Sequence, residues 1–75
     1  MLLITVNHLS FKLQVSWIRQ RDWHILSSGN IGTFTKDQRF QLLHVPNSHE
    51  WTLMIKYLNT RDEGTYVCQV NVNEL

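Results

Sequence analysis

Asp62-Glu63-Gly64-Thr65-Tyr66-Val67-Cys68 reads as a turn that runs into a strand. Strand residues alternate faces, so Tyr66 and Cys68 point the same way, toward a core. Gly64 lets the chain turn tightly just before them. A tyrosine two residues before a core cysteine is the spacing of a tyrosine corner, whose hydroxyl bonds back to backbone a few residues upstream.

That corner belongs to the immunoglobulin β-sandwich, with this stretch as strand F. The rest of the chain can be laid out from it. Val15-Ser16-Trp17-Ile18-Arg19-Gln20 reads as strand C. Val15 and Trp17 face inward, and Ser16, Ile18 and Gln20 face outward. Trp17 takes the place of the tryptophan that packs on the inter-sheet disulfide. Trp23-His24-Ile25-Leu26 suits a C′ strand, Ser27 to Gly32 a turn cluster, and Thr33-Phe34-Thr35 a C″ strand. Two short strands between C and D indicate a variable-type set.

Arg39-Phe40-Gln41-Leu42-Leu43 reads as strand D, with Phe40 and Leu42 inward. Pro46-Asn47-Ser48-His49 is the turn into strand E. Trp51-Thr52-Leu53-Met54-Ile55 alternates cleanly as that strand, with Trp51, Leu53 and Ile55 inward. Asn59 to Asp62 crosses to strand F, which runs from Thr65 to Gln69 or beyond. Arg39 and Asp62 sit where variable-type domains pair an arginine with an aspartate across the bottom of the sandwich. Such a pair, partly buried, is bidentate and costly to break. The expected fold class is therefore an all-β, immunoglobulin-like sandwich of the V-set. It is incomplete: strands C to F are present, A and B are replaced or missing, and G is missing.

Composition bounds the function. The 75 residues are enough for one domain, and 43% hydrophobic with 17% charged content is globular. A net charge of +1 with no basic stripe argues against nucleic acid. The apolar start, Met1 to Val6, lacks the positive flank and cleavage site of a signal peptide. No run approaches the roughly 18 apolar residues of a membrane span. There is one cysteine, so Cys68 has no partner within the chain. Residues 15–75 read as a partial V-type domain, and residues 1–14 as an atypical N-terminal segment. Within that segment Leu2, Ile4 and Val6 alternate, as do Leu9, Phe11, Leu13 and Val15, and either run fits a strand; His8 to Lys12 resembles a strand B in which Phe11 stands where cysteine belongs. Alternatively, the segment is unrelated sequence that replaced strands A and B.

Two catalytic or metal readings are weak. Cys68 with His8, His24, His44 and His49 invites a Cys/His nucleophile or a zinc site. A catalytic thiol needs an adjacent base and an exposed site, whereas Cys68 is expected beside Trp17 in the core. No Cys-x-x-Cys or His-Glu-x-x-His spacing supports a metal. The expectation is no enzyme, no cofactor and no small-molecule substrate.

The run Val15 to Leu26, with Asp37-Gln38-Arg39-Phe40-Gln41, Glu50-Trp51-Thr52-Leu53 and Arg61 to Val70, resembles the first immunoglobulin domain of the Dpr proteins. These are the insect "defective proboscis extension response" family of neuronal cell-surface proteins. The resemblance implies a recognition module at the plasma membrane, facing the extracellular side. It implies binding to partner immunoglobulin proteins, the Dpr-interacting proteins, or to itself, through the C, C′, C″, F and G face. Alternation places Ser16, Ile18, Gln20, Val67, Gln69 and Asn71 on that face, and His24, Ile25 and Phe34 extend it. Trp17, Arg39, Asp62, Tyr66 and Cys68 are structural. The family's strand B cysteine, signal sequence and strand G are not evident, so a truncated isoform or gene-model fragment without binding activity is the alternative.

The missing strands carry an expected cost. Without strand B, strand E becomes a sheet edge and its large side chains lose a covering layer, at about 1.5–3 kcal/mol each. A lost native disulfide costs about 2–5 kcal/mol more, against about 5–15 kcal/mol for a typical domain. The sequence therefore predicts a chain that is unstable alone or aggregates along strand E.

Overall fold

A computed structural model of the chain describes residues 1–7, 13–29, 32–45 and 48–72. Seven strands lie among them: β1 Leu2–Asn7, β2 Leu13–Arg19, β3 His24–Ser28, β4 Gly32–Thr33, β5 Phe40–Leu43, β6 Glu50–Ile55 and β7 Tyr66–Val72. They form a three-stranded sheet of order β1-β6-β5 and a four-stranded sheet of order β4-β3-β2-β7. Their core is Val15, Trp17 and Leu26 from one sheet against Phe40, Trp51, Leu53 and Ile55 from the other. This is the V-set immunoglobulin sandwich, with a partial strand set. Strands C to F correspond to β2 through β7.

At the N-terminus the first of the two alternating runs forms a strand. The strand beside strand E is Leu2–Asn7, which pairs antiparallel with all of β6, from Leu2 opposite Ile55 to Asn7 opposite Glu50. The cause is alternation: Leu2, Ile4 and Val6 match the inward phase of Ile55, Leu53 and Trp51. Ile4 and Val6 then pack on the core. β6 is therefore a central strand, and the expected aggregation edge at strand E is covered. His8 to Lys12, with the candidate strand B at Phe11, lies outside the described residues, as do Pro46 and Asn47 of the D–E turn.

Strand C also starts earlier than its sequence reading, at Leu13, because β7 extends to Val72 and pairs with β2 throughout. Strand C′ runs on through Ser28 where a turn cluster was expected. The reason is a bulge: Trp17 faces Ser27 and Ile18 faces Ile25, so Leu26 is the extra residue. The bulge turns Leu26 and Ser27 both inward, and both are fully buried. Gly32 and Thr33 then continue the sheet, paired with Ser28 and Ser27.

The crossing between sheets is tied by charge. Arg39 donates from Nη1 and Nη2 to Asp62 Oδ2 and Oδ1 at 2.7 and 2.9 Å. Asp62 closes a 3-10 turn, Thr60–Asp62, in which Asn59 caps the backbone N–H of Arg61 and Asp62 Oδ2 accepts from the backbone N–H of Asn59. Tyr66 donates its hydroxyl to the Asp62 carbonyl at 2.8 Å, which is the tyrosine corner. Gly64, at φ +132°, makes the turn between them. The Arg39 guanidinium also lies 5.2 Å from the Phe40 ring centroid, over the bottom of the core.

Asp62 is buried, and Asp62→Asn removes the better placed of the two carboxylate partners of Arg39, which keeps Asp37 at 3.2 Å. It is expected to cost about 1–3 kcal/mol in a urea titration. The pH dependence has a defined sign. The hydrogen bond from Arg39 holds the Asp62 carboxyl down to about 2. That stabilisation is complete above the ordinary carboxylate value of about 3.9 and is lost as pH falls through about 2. Asp62→Asn should therefore flatten the dependence of stability on pH in this window, to which Asp22 also contributes; an unchanged slope would rule out the pair as a source.

Candidate functional site

The outer face of the four-stranded sheet carries a row of apolar side chains. Ile25 of β3, Ile18 of β2 and Val67 of β7 are direct cross-strand neighbours. Neighbouring strands lie about 4.8 Å apart, so these three side chains form one continuous ridge. The next row along the strands is Ser28, Ser16 and Gln69. Ile25 is 41% exposed, while Ile18 and Val67 are half-buried by their neighbours.

At one end the β2–β3 turn presents Trp23. Its backbone sits at φ +55°, a conformation rare for a tryptophan. Arg19 holds the turn by gripping Asp22 at 3.0 and 2.9 Å, and Asp22 Oδ1 also accepts from the backbone N–H of His24. The Arg19 hydrogen bond draws the Asp22 carboxyl down to about 2. Arg21, in the same turn, donates to the carbonyl of Arg61. Trp23 is left 63% exposed. Beyond β4, Phe34 is 55% exposed, with its backbone N–H held by the Leu26 carbonyl at 2.9 Å.

The expected face residues fall into three groups. Ile18, Ile25, Val67 and Gln69 follow the outward phase of their strands, Gln20 is exposed in the turn just past β2, and Phe34 is exposed beyond β4. Ser16 points outward but is only 6% exposed. Its small side chain lies in the middle of the sheet between Ser28 and Gln69, and its hydroxyl lies 3.5 Å from that of Ser28. His24 is turned away from Ile25 by strand alternation. It pairs with Arg19, and its Nε2 is 2.8 Å from Thr35 Oγ1. The backbone of Asn71, on β7, pairs with Gln14 on β2; its side chain lies outside the described residues. Ser28 was read as turn, so the face gained a strand residue that only the bulge explains.

The structural residues also have definite places. Trp17 is buried directly opposite Cys68 in the β2–β7 pairing. Cys68 is half-buried rather than buried, and its thiol is free. Burial pushes the thiol pKa up, which keeps it protonated and poorly nucleophilic at neutral pH. His44 stacks on Trp51, with ring centroids 3.5 Å apart and planes 9° apart, and its Nε2 lies 3.1 Å from the Ser48 carbonyl. Among the described residues no three His, Cys, Asp or Glu side chains gather as a metal site. The chemistry this surface offers is contact, through an apolar centre with a polar surround.

The immunoglobulin V-set domain family matches residues 2–75. The fold superposes with a TM-score of 0.84 on a chain of the crystal structure of Dpr2 Ig1-Ig2 in complex with DIP-Theta Ig1-Ig3, at 45% identity, covering 93% of this chain and 32% of that one. Against the crystal structure of Dpr11 IG1 bound to DIP-gamma IG+IG2 the TM-score is 0.77 at 43% identity, covering 93% of this chain and 73% of the other. Lachesin of Drosophila melanogaster is 47% identical over 38 residues, which are 51% of this chain and 11% of lachesin. The chain thus spans a small part of lachesin and about a third of the Dpr2-complex chain it matches. With its V-set sandwich, its Arg39–Asp62 pair and its tyrosine corner, the chain belongs to the immunoglobulin V-set family and, within it, with the first immunoglobulin domains of the Dpr proteins.

Proposed function

We propose that this chain is a cell-surface recognition module that binds the immunoglobulin domain of a partner of the DIP class, in neuronal adhesion and synaptic partner choice. The observation that carries the reading is the Ile25–Ile18–Val67 ridge on the outer face of the β4-β3-β2-β7 sheet. Solved complexes of its Dpr relatives contain DIP immunoglobulin domains as the bound partner. A second immunoglobulin sheet is a flat surface, and a flat apolar ridge ringed by Gln20, Gln69 and Ser28 suits it. Burying the ridge supplies affinity, and the polar rim supplies selectivity among partners. The reading is of a binding surface and not of a catalyst: no side chain on the ridge can exchange a proton or attack a bond. Such a module works outside the cell, at the plasma membrane.

Ile25 and Trp23 are the exposed anchors, and Ile18 is the centre. Placing a carboxylate at that centre buries an unpaired charge in the complex. Ile18→Asp and Ile25→Asp are expected to weaken binding to an immobilised DIP first domain by at least about a hundredfold, or roughly 2.8 kcal/mol. Gln20→Ala, at the rim, is expected to change it by less than about fivefold. Surface plasmon resonance across a panel of DIP ectodomains reads both. Near-native affinity for Ile25→Asp would sink the assignment of this face, and so would the absence of binding to every DIP tested. Thermal melts of the variants should match the parent within a few degrees, because the replaced side chains point away from the core.

A further inference from the structure

The β2–β3 hairpin closes through a turn whose last residue is held in an unfavourable backbone conformation. Arg19 and His24 are the last strand pair, so the next rank in register beyond Ile18 and Ile25 is Gln20 and Trp23. The Trp23 backbone N–H reaches the Gln20 carbonyl at 3.4 Å. Among the described residues other than glycine, Trp23 and Tyr57 are the two with a positive φ. Glycine or asparagine takes such a position readily, whereas crowding at Cβ makes it unfavourable for a tryptophan. A conformation of this kind persists where its surroundings over-determine it.

Three side chains supply that constraint. Arg19 grips both carboxylate oxygens of Asp22 at 3.0 and 2.9 Å, and Asp22 Oδ1 also accepts from the backbone N–H of His24 at 3.2 Å. Trp23 is thus bracketed by two tethered neighbours. Arg21 donates to the carbonyl of Arg61, which ties the turn to the crossing that leads into β7. Arg19 is itself fixed: its side chain is 16% exposed, and its guanidinium lies 5.8 Å from the ring centroid of buried Phe40. The grip on Asp22 is therefore built from the core outward. What it holds is a large apolar side chain in water, since Trp23 is 63% exposed while Trp17 and Trp51 are buried.

We propose that Arg19 and Asp22 are positioning residues for partner binding: their ion pair locks the β2–β3 turn so that Trp23 is presented as a pre-ordered anchor at the end of the Ile25–Ile18–Val67 ridge. The anchor role rests on the proposed recognition of a DIP domain, whereas the ordering of the turn does not. Tryptophan is among the side chains that contribute most when an interface buries them, and an anchor ordered before contact loses less freedom on binding. A glycine in the turn would relax the backbone but bring no contact surface. Strain and exposure at Trp23 are together of use only against a partner.

Two measurements separate the turn from the binding. In the chain labelled with fluorotryptophan, the Trp23 fluorine resonance is identified by its loss in Trp23→Gly. Asp22→Ala should narrow that resonance and move it toward the position of free fluorotryptophan, with the Trp17 and Trp51 resonances unchanged. Arg19→Lys keeps the charge but cannot grip both oxygens, and it should act in the same direction. Binding to an immobilised DIP first domain should weaken about five- to tenfold with Asp22→Ala and at least about thirtyfold with Trp23→Gly. In the Trp23→Gly background, Asp22→Ala should add less than about twofold, because no indole is left to position. Trp23→Gly should melt no lower than the parent, because glycine takes the positive φ without strain. Equal losses from Asp22→Ala in both backgrounds overturn the proposal, and so does a Trp23 resonance that Asp22→Ala leaves in place. If the parent binds no DIP domain, the anchor role falls with the recognition reading, while the fluorine spectra still decide whether the ion pair orders the turn.

Discussion

The structure depends on the bidentate bond between Arg39 and Asp62. Arg39 stands immediately before β5 of the three-stranded sheet, and Asp62 closes the crossing into β7 of the four-stranded sheet. The two sheets meet through apolar side chains, which hold them together but do not fix their offset. The ion pair does fix it, because its two hydrogen bonds are planar and directional. Burial strengthens that demand. Asp62 is nearly inaccessible, so its charge has no alternative partner in solvent. Its remaining acceptor capacity goes to the Asn59 backbone, and its carbonyl takes the Tyr66 hydroxyl. One aspartate thus sets the end of the crossing turn and the entry angle of β7.

From β7 the proposed recognition face follows. The entry of β7 at Tyr66 sets its pairing with β2 from Arg19 to Leu13. That register carries Val67 to the side of Ile18, and the β2–β3 pairing carries Ile25 to its other side. The bulge at Leu26 is the second device. It keeps Ile25 outward while sending Leu26 and Ser27 inward, so β3 serves the core and the face within four residues. Arg19 serves both ends as well: its guanidinium lies 5.8 Å from the Phe40 ring centroid and also grips Asp22 below Trp23.

No disulfide joins the two sheets within these 75 residues, which hold one cysteine. The inward positions of β1 are Leu2, Ile4 and Val6, and Cys68 is free. Aliphatic packing of Ile4 and Val6 against Trp51 and Leu53 substitutes for a covalent link, and the two kinds of support differ. A disulfide constrains the unfolded chain, whereas packing stabilises only the folded one. The sandwich is therefore held by a continuous core and one buried ion pair.

The sequence by itself determined the sandwich, the inward phase of β5, β6 and β7, the Arg39–Asp62 pair and the tyrosine corner. Each of these is local or periodic: alternation sets which side chains are buried, and Gly64, Tyr66 and Cys68 sit within one turn and strand. It also named the apolar ridge, because Ile18 and Val67 are outward by parity alone. Only the tertiary structure decided that Leu2–Asn7 covers β6. Alternation marks a strand, but which strand it pairs with, and in which phase, is set by residues distant in sequence. The tertiary structure also decided the bulge at Leu26, the covering of Ser16 by its neighbours and the turning of His24 toward Thr35. These depend on cross-strand partners distant in sequence, and a one-residue slip in pairing reverses the face on which a side chain stands.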